Sequence, residues 1–167
     1  MKIIKKKVKN EINTIKRKIE ILKKRQVKKK INSFFEWIKG AELVELKSCN
    51  IKEDPVRPEL DVVFRRSYGR KIYGVKYNKE ICAVMCFGFT NEIPKSVKEL
   101  DLMTKDAYLK SAQRDQNIGK IAIAYTVWSK KKGGGKLIVK EVFKMIKKSN
   151  HLNRLITLSP LTEMARN

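Results

Sequence analysis

A chain of 167 residues, 42% of them hydrophobic, has the size and apolar content of one domain with an appended arm. Forty Lys and Arg against seventeen Asp and Glu leave a net charge of +23, which favours nucleic acid, an anionic membrane or a polyanionic cofactor as partner. Cys49, Cys82 and Cys86 form no CxxC pair and, with His151 as the single histidine, make a poor zinc set, so no metal is expected.

No apolar run approaches the roughly 20 residues that span a bilayer, and the N-terminus is charged where a secretory leader needs an apolar centre. An odd cysteine count without a framework fits a reducing compartment. A cytoplasmic protein without a transmembrane segment is therefore expected. Cys82 and Cys86 stand four apart inside an apolar run, as small core residues on one strand face.

Residues 1–40 read as a basic helical arm and residues 41–167 as the folded domain. Ile4, Val8, Ile12, Ile15, Ile19 and Leu22 recur at intervals of four and three, one stripe of an amphipathic helix. Val27, Ile31, Phe34 and Ile38 resume the stripe after a shift, and Gly40 ends it. Residues 1–30 hold fourteen Lys or Arg and two Glu, which is +12 and just over half of the net charge. Such a helix can pack on the following domain, pair with a second helix, or lie on anionic lipid or nucleic acid; among these surface readings nucleic acid through residues 1–30 is the stronger.

From Glu42 the period changes. "ELVELKSCNI" reads as a strand and "EDPVRPE" as a loop marked by Pro55 and Pro58. "KIYGVKYN" alternates in the manner of a half-buried strand, and a tight turn at Asn78 and Lys79 leads into "ICAVMCFGFT", apolar on both faces. These two runs predict an antiparallel hairpin. A helix follows from Pro94 to about Gln113, then "KIAIAYTVWS", residues 120–129, whose uninterrupted apolar character predicts a central strand. A helix from Gly135 to about Ser149, with Ile138, Val139, Val142, Phe143 and Ile146 inward, precedes a last strand, "RLITLSP", residues 154–160.

Between strand and helix lies "SKKKGGGK". Strand, glycine turn and helix N-terminus is the order in which backbone N–H groups and a helix dipole converge on an anion; a flexible, solvated loop is the other reading. A P-loop is excluded because Gly135-Lys136 is followed by Leu137, not Ser or Thr. A dinucleotide fingerprint fails because Ile138 stands where the third glycine belongs, and an antiparallel hairpin comes first.

Lys130, Lys131, Lys132, Gly133, Gly134 and Gly135, in this element order, resemble the acyl-CoA loop of the GCN5-related N-acetyltransferase fold, the acyl-CoA N-acyltransferase superfamily. There Gln or Arg, two residues, Gly, one residue, and Gly or Ala stand between the fourth strand and the third helix; here Lys130 replaces the leading Gln or Arg. The resemblance covers residues 42–167. It implies an α/β fold with a mixed, mainly antiparallel sheet flanked by helices, here preceded by the basic amphipathic helix. It also implies acetyl-CoA or another acyl-CoA as co-substrate. The pyrophosphate would lie on Gly133, Gly134 and Gly135 with Lys130, Lys131, Lys132 and Lys136 supplying charge. The pantetheine would lie between splayed strands, its amides bonded by the backbone of Val127, Trp128 and Ser129.

"ICAVMCFGFTNEIP", "KIAIAYTVWS" and "RLITLSPL" look like segments of the malonyl-CoA decarboxylase branch, whose Ser-Pro serine works with a histidine much further along the chain. Ser159 matches that serine, but His151 precedes the strand. The family's fourth helix and last two strands would follow "LTEMARN", so completion of the sheet by another chain, or by further sequence, is expected.

Acyl transfer to an amine needs a base, an oxyanion donor and an acid for the thiolate. The glutamate that the family often places on its fourth strand is missing from residues 120–129. Tyr125, Ser129 and Ser159 are the polar residues left near the implied cleft, with Tyr125 and Ser159 the catalytic candidates. Trp128 can wall an acyl pocket or fill the core, and His151 fits an exposed loop. Two functions follow: an acyl-CoA-dependent acyltransferase acting on an amine acceptor, or a non-catalytic basic protein holding nucleic acid by its arm and by residues 130–148.

Overall fold

The computed structural model describes residues 2–114 and 118–158. The chain divides into two compact units, Met1–Gly40 and Ala41–Asn167. The first is one helix, α1 (Lys2–Gly40), whose side chains are exposed from residue 12 to residue 36, Ile12, Ile15, Ile19 and Leu22 included.

The second unit is built on a five-stranded sheet in the order β1 (Glu42–Glu45), β2 (Lys71–Tyr77), β3 (Glu80–Thr90), β4 (Ile121–Ser129), β5 (Arg154–Thr157). The first three pairings are antiparallel and the β4–β5 pairing is parallel. This is a mixed, mainly antiparallel α/β sheet of the acyl-CoA N-acyltransferase type. The β2–β3 turn has positive φ at both Asn78 (49°) and Lys79 (68°), the twist-matched geometry of a two-residue hairpin.

Helices cover both faces. α3 (Val97–Arg114) starts at Ser96, whose Oγ accepts from the Glu99 N–H, while Glu99 accepts from the Lys95 N–H. Its Thr104 lies so close to Gly88 of β3 that a Cβ there would come within 2.9 Å. α4 (Gly134–Lys147) packs on the opposite, odd-numbered face of β3, with Gly134 against Ala83 and with Leu137, Ile138, Val142 and Ile146 buried.

Four differences from the sequence reading matter for the site. The strand expected over "ELVELKSCNI" stops at Glu45, and the chain turns through a short 3-10 segment at Ile51–Glu53. The Pro-marked loop runs on into an unexpected helix, α2 (Val62–Arg66), capped by the Asp61 carboxylate on the Phe64 N–H at 2.7 Å. Phe143, expected inward, is exposed. The last strand ends at Thr157, and Ser159 lies outside the described residues.

β3 and β4 fall out of step at one place. Cys86 pairs with Thr126 and Phe87 with Ala124, so Tyr125 is an extra residue, a β-bulge in β4. A second bulge places Cys82 between Ala83, paired with Val75, and Ile81, paired with Lys76.

Candidate functional site

The parallel pairing of β5 with β4 reaches only Ala124, and the last bond of the ladder runs from the Leu158 N–H to the Ala124 carbonyl at 2.8 Å. The bulge at Tyr125 follows at once, and from there to Ser129 no described strand takes the β5 edge of β4. A cavity of about 670 Å³ opens at this parting. Ala124, Thr126 and Val127 form its β4 wall, Thr157 and Leu158 its β5 wall, Gly135, Lys136, Val139, Lys140 and Phe143 its α4 wall, and Val56 closes a side.

The three glycines at its mouth have three different reasons to be glycine. Gly133 caps α4 with a left-handed φ of 83°. Gly134 passes so close to β4 that a Cβ would meet Ser129 Oγ at 2.2 Å. Gly135 has no atom within 4 Å of where its Cβ would stand, and it is the glycine that borders the cavity.

No side chain caps α4. The Gly134 N–H bonds to the Lys131 carbonyl at 2.9 Å and the Leu137 N–H to the Gly133 carbonyl at 3.0 Å. The N–H groups of Gly135 and Lys136 are thus the helix-start donors that fall at the cavity. With the dipole and the Lys136 and Lys140 side chains beside them, they make an anion-seeking corner.

The remaining residues singled out from the sequence distribute themselves unevenly. Val127 and Lys136 line the cavity. Ser129 Oγ is held in the turn, donating to the Lys131 carbonyl (2.6 Å) and accepting from the Lys131 N–H (3.2 Å). Lys130 pairs with Glu53 at 2.8 Å, and Lys131 lies over the Tyr77 ring at 4.3 Å, while Lys132 is exposed. Trp128 faces the core beneath the Arg65 guanidinium, 5.5 Å from its ring centre.

Tyr125 borders the cavity through the bulge, but its ring packs edge-on against Phe64 at 6.5 Å in the core. Its hydroxyl is buried with no hydrogen-bond partner among the described residues, and burial pushes it well above the ordinary phenol range. His151 sits in the exposed turn after α4, its Nδ1 3.0 Å from Ser149 Oγ.

The sequence reading missed the device that holds the Val56 side of the cavity. Arg65 of α2 is fully buried and donates through Nη1 to Asp54 Oδ2 at 2.8 Å. Its other donors reach the carbonyls of Leu60 (2.9 Å) and Arg57 (2.7 Å). Asp54 Oδ1 accepts from the N–H groups of Val56 (2.9 Å) and Arg57 (3.2 Å) and from Thr126 Oγ1 (2.7 Å). Burial opposes ionisation of Asp54, yet the bonds from Thr126, Val56, Arg65 and Arg57 outweigh it and hold the carboxyl below its ordinary range. The ion pair ties the 54–57 turn to α2, and the Thr126 hydroxyl ties the same carboxylate to β4 beside the bulge. Lys140 and Phe143 were missed too, although they follow Lys136 at four and seven residues and so share its helix face.

The mixed sheet and its flanking helices make an acyl-CoA N-acyltransferase-like fold. Among solved structures, the chain is similar to malonyl-CoA decarboxylase from Cupriavidus metallidurans, with a TM-score of 0.51 and 20% sequence identity over 81% of this chain. The match spans 35% of that protein's length. No family model matches the sequence, and no curated protein does. Among the described residues no helix is long and apolar enough to cross a membrane.

Proposed function

We propose that this chain binds an acyl-CoA in the cleft between β4, β5 and α4 and transfers its acyl group to an amine acceptor. The observation that carries the reading is the cavity at the parting of β4 and β5, with the uncapped start of α4 at its mouth. The pyrophosphate would take the Gly135 and Lys136 N–H groups, with Lys136 and Lys140 adding charge. The pantetheine would run along the open edge of β4, its amides bonded by backbone at residues 127–129. The resemblance read from the sequence supports this, as does the fold shared with a protein named for a CoA thioester.

In such a transfer the amine nitrogen attacks the thioester carbonyl, the C–S bond breaks and the CoA thiolate leaves. Tyr125 is one candidate: kept protonated by burial it is no base, and its hydroxyl would have to leave the core to donate in the cleft. Ser159, next in the chain after the cavity-lining Leu158, is the second candidate for a proton-handling role. Asp54 is committed to Arg65 and Thr126, so the acceptor's proton must leave to a group outside this network.

Calorimetric titration of acetyl-CoA and of CoA tests the reading. Micromolar binding by the wild type that Gly135→Leu loses is the expected result, since a side chain at residue 135 fills the space offered to the ligand. An unresponsive wild type would sink it.

A second reading concerns the arm alone. From residue 12 to residue 36, α1 exposes its Lys and Arg along the helix, a form suited to nucleic acid and independent of the cleft. Its affinity for a DNA duplex should fall steeply with salt, and Lys16, Lys23 and Lys30 each changed to Glu should flatten that slope.

A further inference from the structure

Away from the cleft, a second cavity of about 480 Å³ is lined by Leu46, Ser48, Cys49, Asn50, Glu53 and Lys130, among others. Cys49 sits at its wall, half-buried, on the turn that replaces the expected end of the first strand. Behind it lies Cys86 of β3, wholly buried in the core cluster against which Cys49 packs. The Arg65 guanidinium completes the cluster, with Nη1 3.4 Å from Cys86 Sγ. A cysteine at a cavity wall, a second cysteine in the core it packs against and a buried cation bonded to that second sulfur are the three parts of a peroxide-reactive dithiol.

We propose that Cys49 and Cys86 form an oxidant-responsive pair, in which Cys49 attacks a hydroperoxide arriving through this cavity and Cys86 resolves the product as an intramolecular disulfide. The Cys49 thiolate takes the distal oxygen of hydrogen peroxide. The O–O bond breaks, hydroxide leaves and Cys49 becomes a sulfenic acid. The Cys86 sulfur then attacks the Cys49 sulfur, the S–O bond breaks, and the hydroxyl departs as water with the Cys86 proton. Peroxide is the two-electron oxidant and the two thiols are oxidised.

The electrostatics agree with this division of roles. The neighbouring Cys86 thiol pulls the Cys49 thiol down to about 7, with Arg65 helping while burial, Asp54 and Glu53 oppose. The nearby Cys49, together with burial, pushes Cys86 up, so it stays a thiol until Cys49 is oxidised. Cys82 is the internal control: it is buried at the β3 bulge, its sulfur 3.8 Å from the Glu80 carbonyl, and it lines neither cavity described here.

The test is peroxide titration of the full chain followed by intact mass and peptide mapping. Wild type should lose two hydrogens, regain them with a thiol reductant, and map the link to residues 49 and 86. Cys86→Ala should stop at a sulfenic acid on Cys49 that dimedone traps, and Cys49→Ser should yield neither product. Cys49 should react at least about tenfold faster than Cys82 in the same molecule. Oxidation centred on Cys82, a mapped link that omits residue 49 or 86, or a wild type that peroxide leaves unchanged would each overturn the proposal.

Discussion

The two halves of β4 are alike in sequence and opposite in circumstance. Ile121–Ala124 has β3 on one edge and β5 on the other, while among the described residues Thr126–Ser129 pairs with β3 alone. Both halves are apolar and largely buried, so hydrophobicity does not separate them. What separates them is the extra residue at Tyr125, which ends the parallel ladder and leaves a cleft beside backbone that would otherwise be paired. A site can therefore arise from a missing strand edge, with no unusual side chain in the strand itself.

The comparison breaks most completely if the second half loses its anchor. Arg65→Ala removes one member of a fully buried pair and should cost about 3–5 kcal/mol in urea unfolding. The partner left behind carries the pH dependence. Asp54 has a folded-state value below its unfolded value of about 3.9, so its stabilisation is present above that value and lost as pH falls through the folded one. Asp54→Asn should flatten the acid limb of the stability profile, and an unchanged limb would show that the network does not set it.

Next in size is the contrast between neighbouring glycines. Gly134→Ala drives a Cβ into Ser129 and should cost about 1–3 kcal/mol, whereas Gly135→Ala meets nothing and, in a helix start, should be neutral or stabilising. Equal losses at both positions would mean that the loop packs differently from the description above.

A third measurement sharpens the contrast at the level of ligand. Gly135→Leu should keep the unfolding midpoint while weakening CoA at least about tenfold, and Lys136→Ala should weaken it less, by about threefold to tenfold. The smallest effect is expected at Lys130. Its ammonium is directed to Glu53 in an exposed pair, so Lys130→Ala should leave both CoA affinity and unfolding midpoint within error. A large loss of affinity there would return Lys130 to the phosphate site that the glycine motif suggests.

Much of this was legible in the chain itself. The hairpin followed from alternation and the Asn78-Lys79 turn, the central strand from ten residues without an internal charge, and α4 from helical spacing after a glycine run. The glycine turn between β4 and α4 followed from the order strand, glycines, helix. Such signals are local: each depends on residues within one turn or one pleat of each other, which the sequence lists side by side.

The rest was decided at long range. Nothing near residue 125 announces a bulge, because a bulge is a disagreement in register between two strands nearly forty residues apart in the chain. "EDPVRPE" reads as an ordinary loop, and Arg65 as one of forty basic residues, until the fold brings Asp54 to Thr126, 72 residues away. Lys130 and Lys136 are interchangeable in the motif, yet one is taken by Glu53 and the other borders the cavity. Sequence by itself determined the elements and their order, because backbone propensity and hydrophobic period act over a few residues. Only the tertiary structure decided which strand edge stays open and which charges are already spent, because both depend on partners that meet only when the chain has folded.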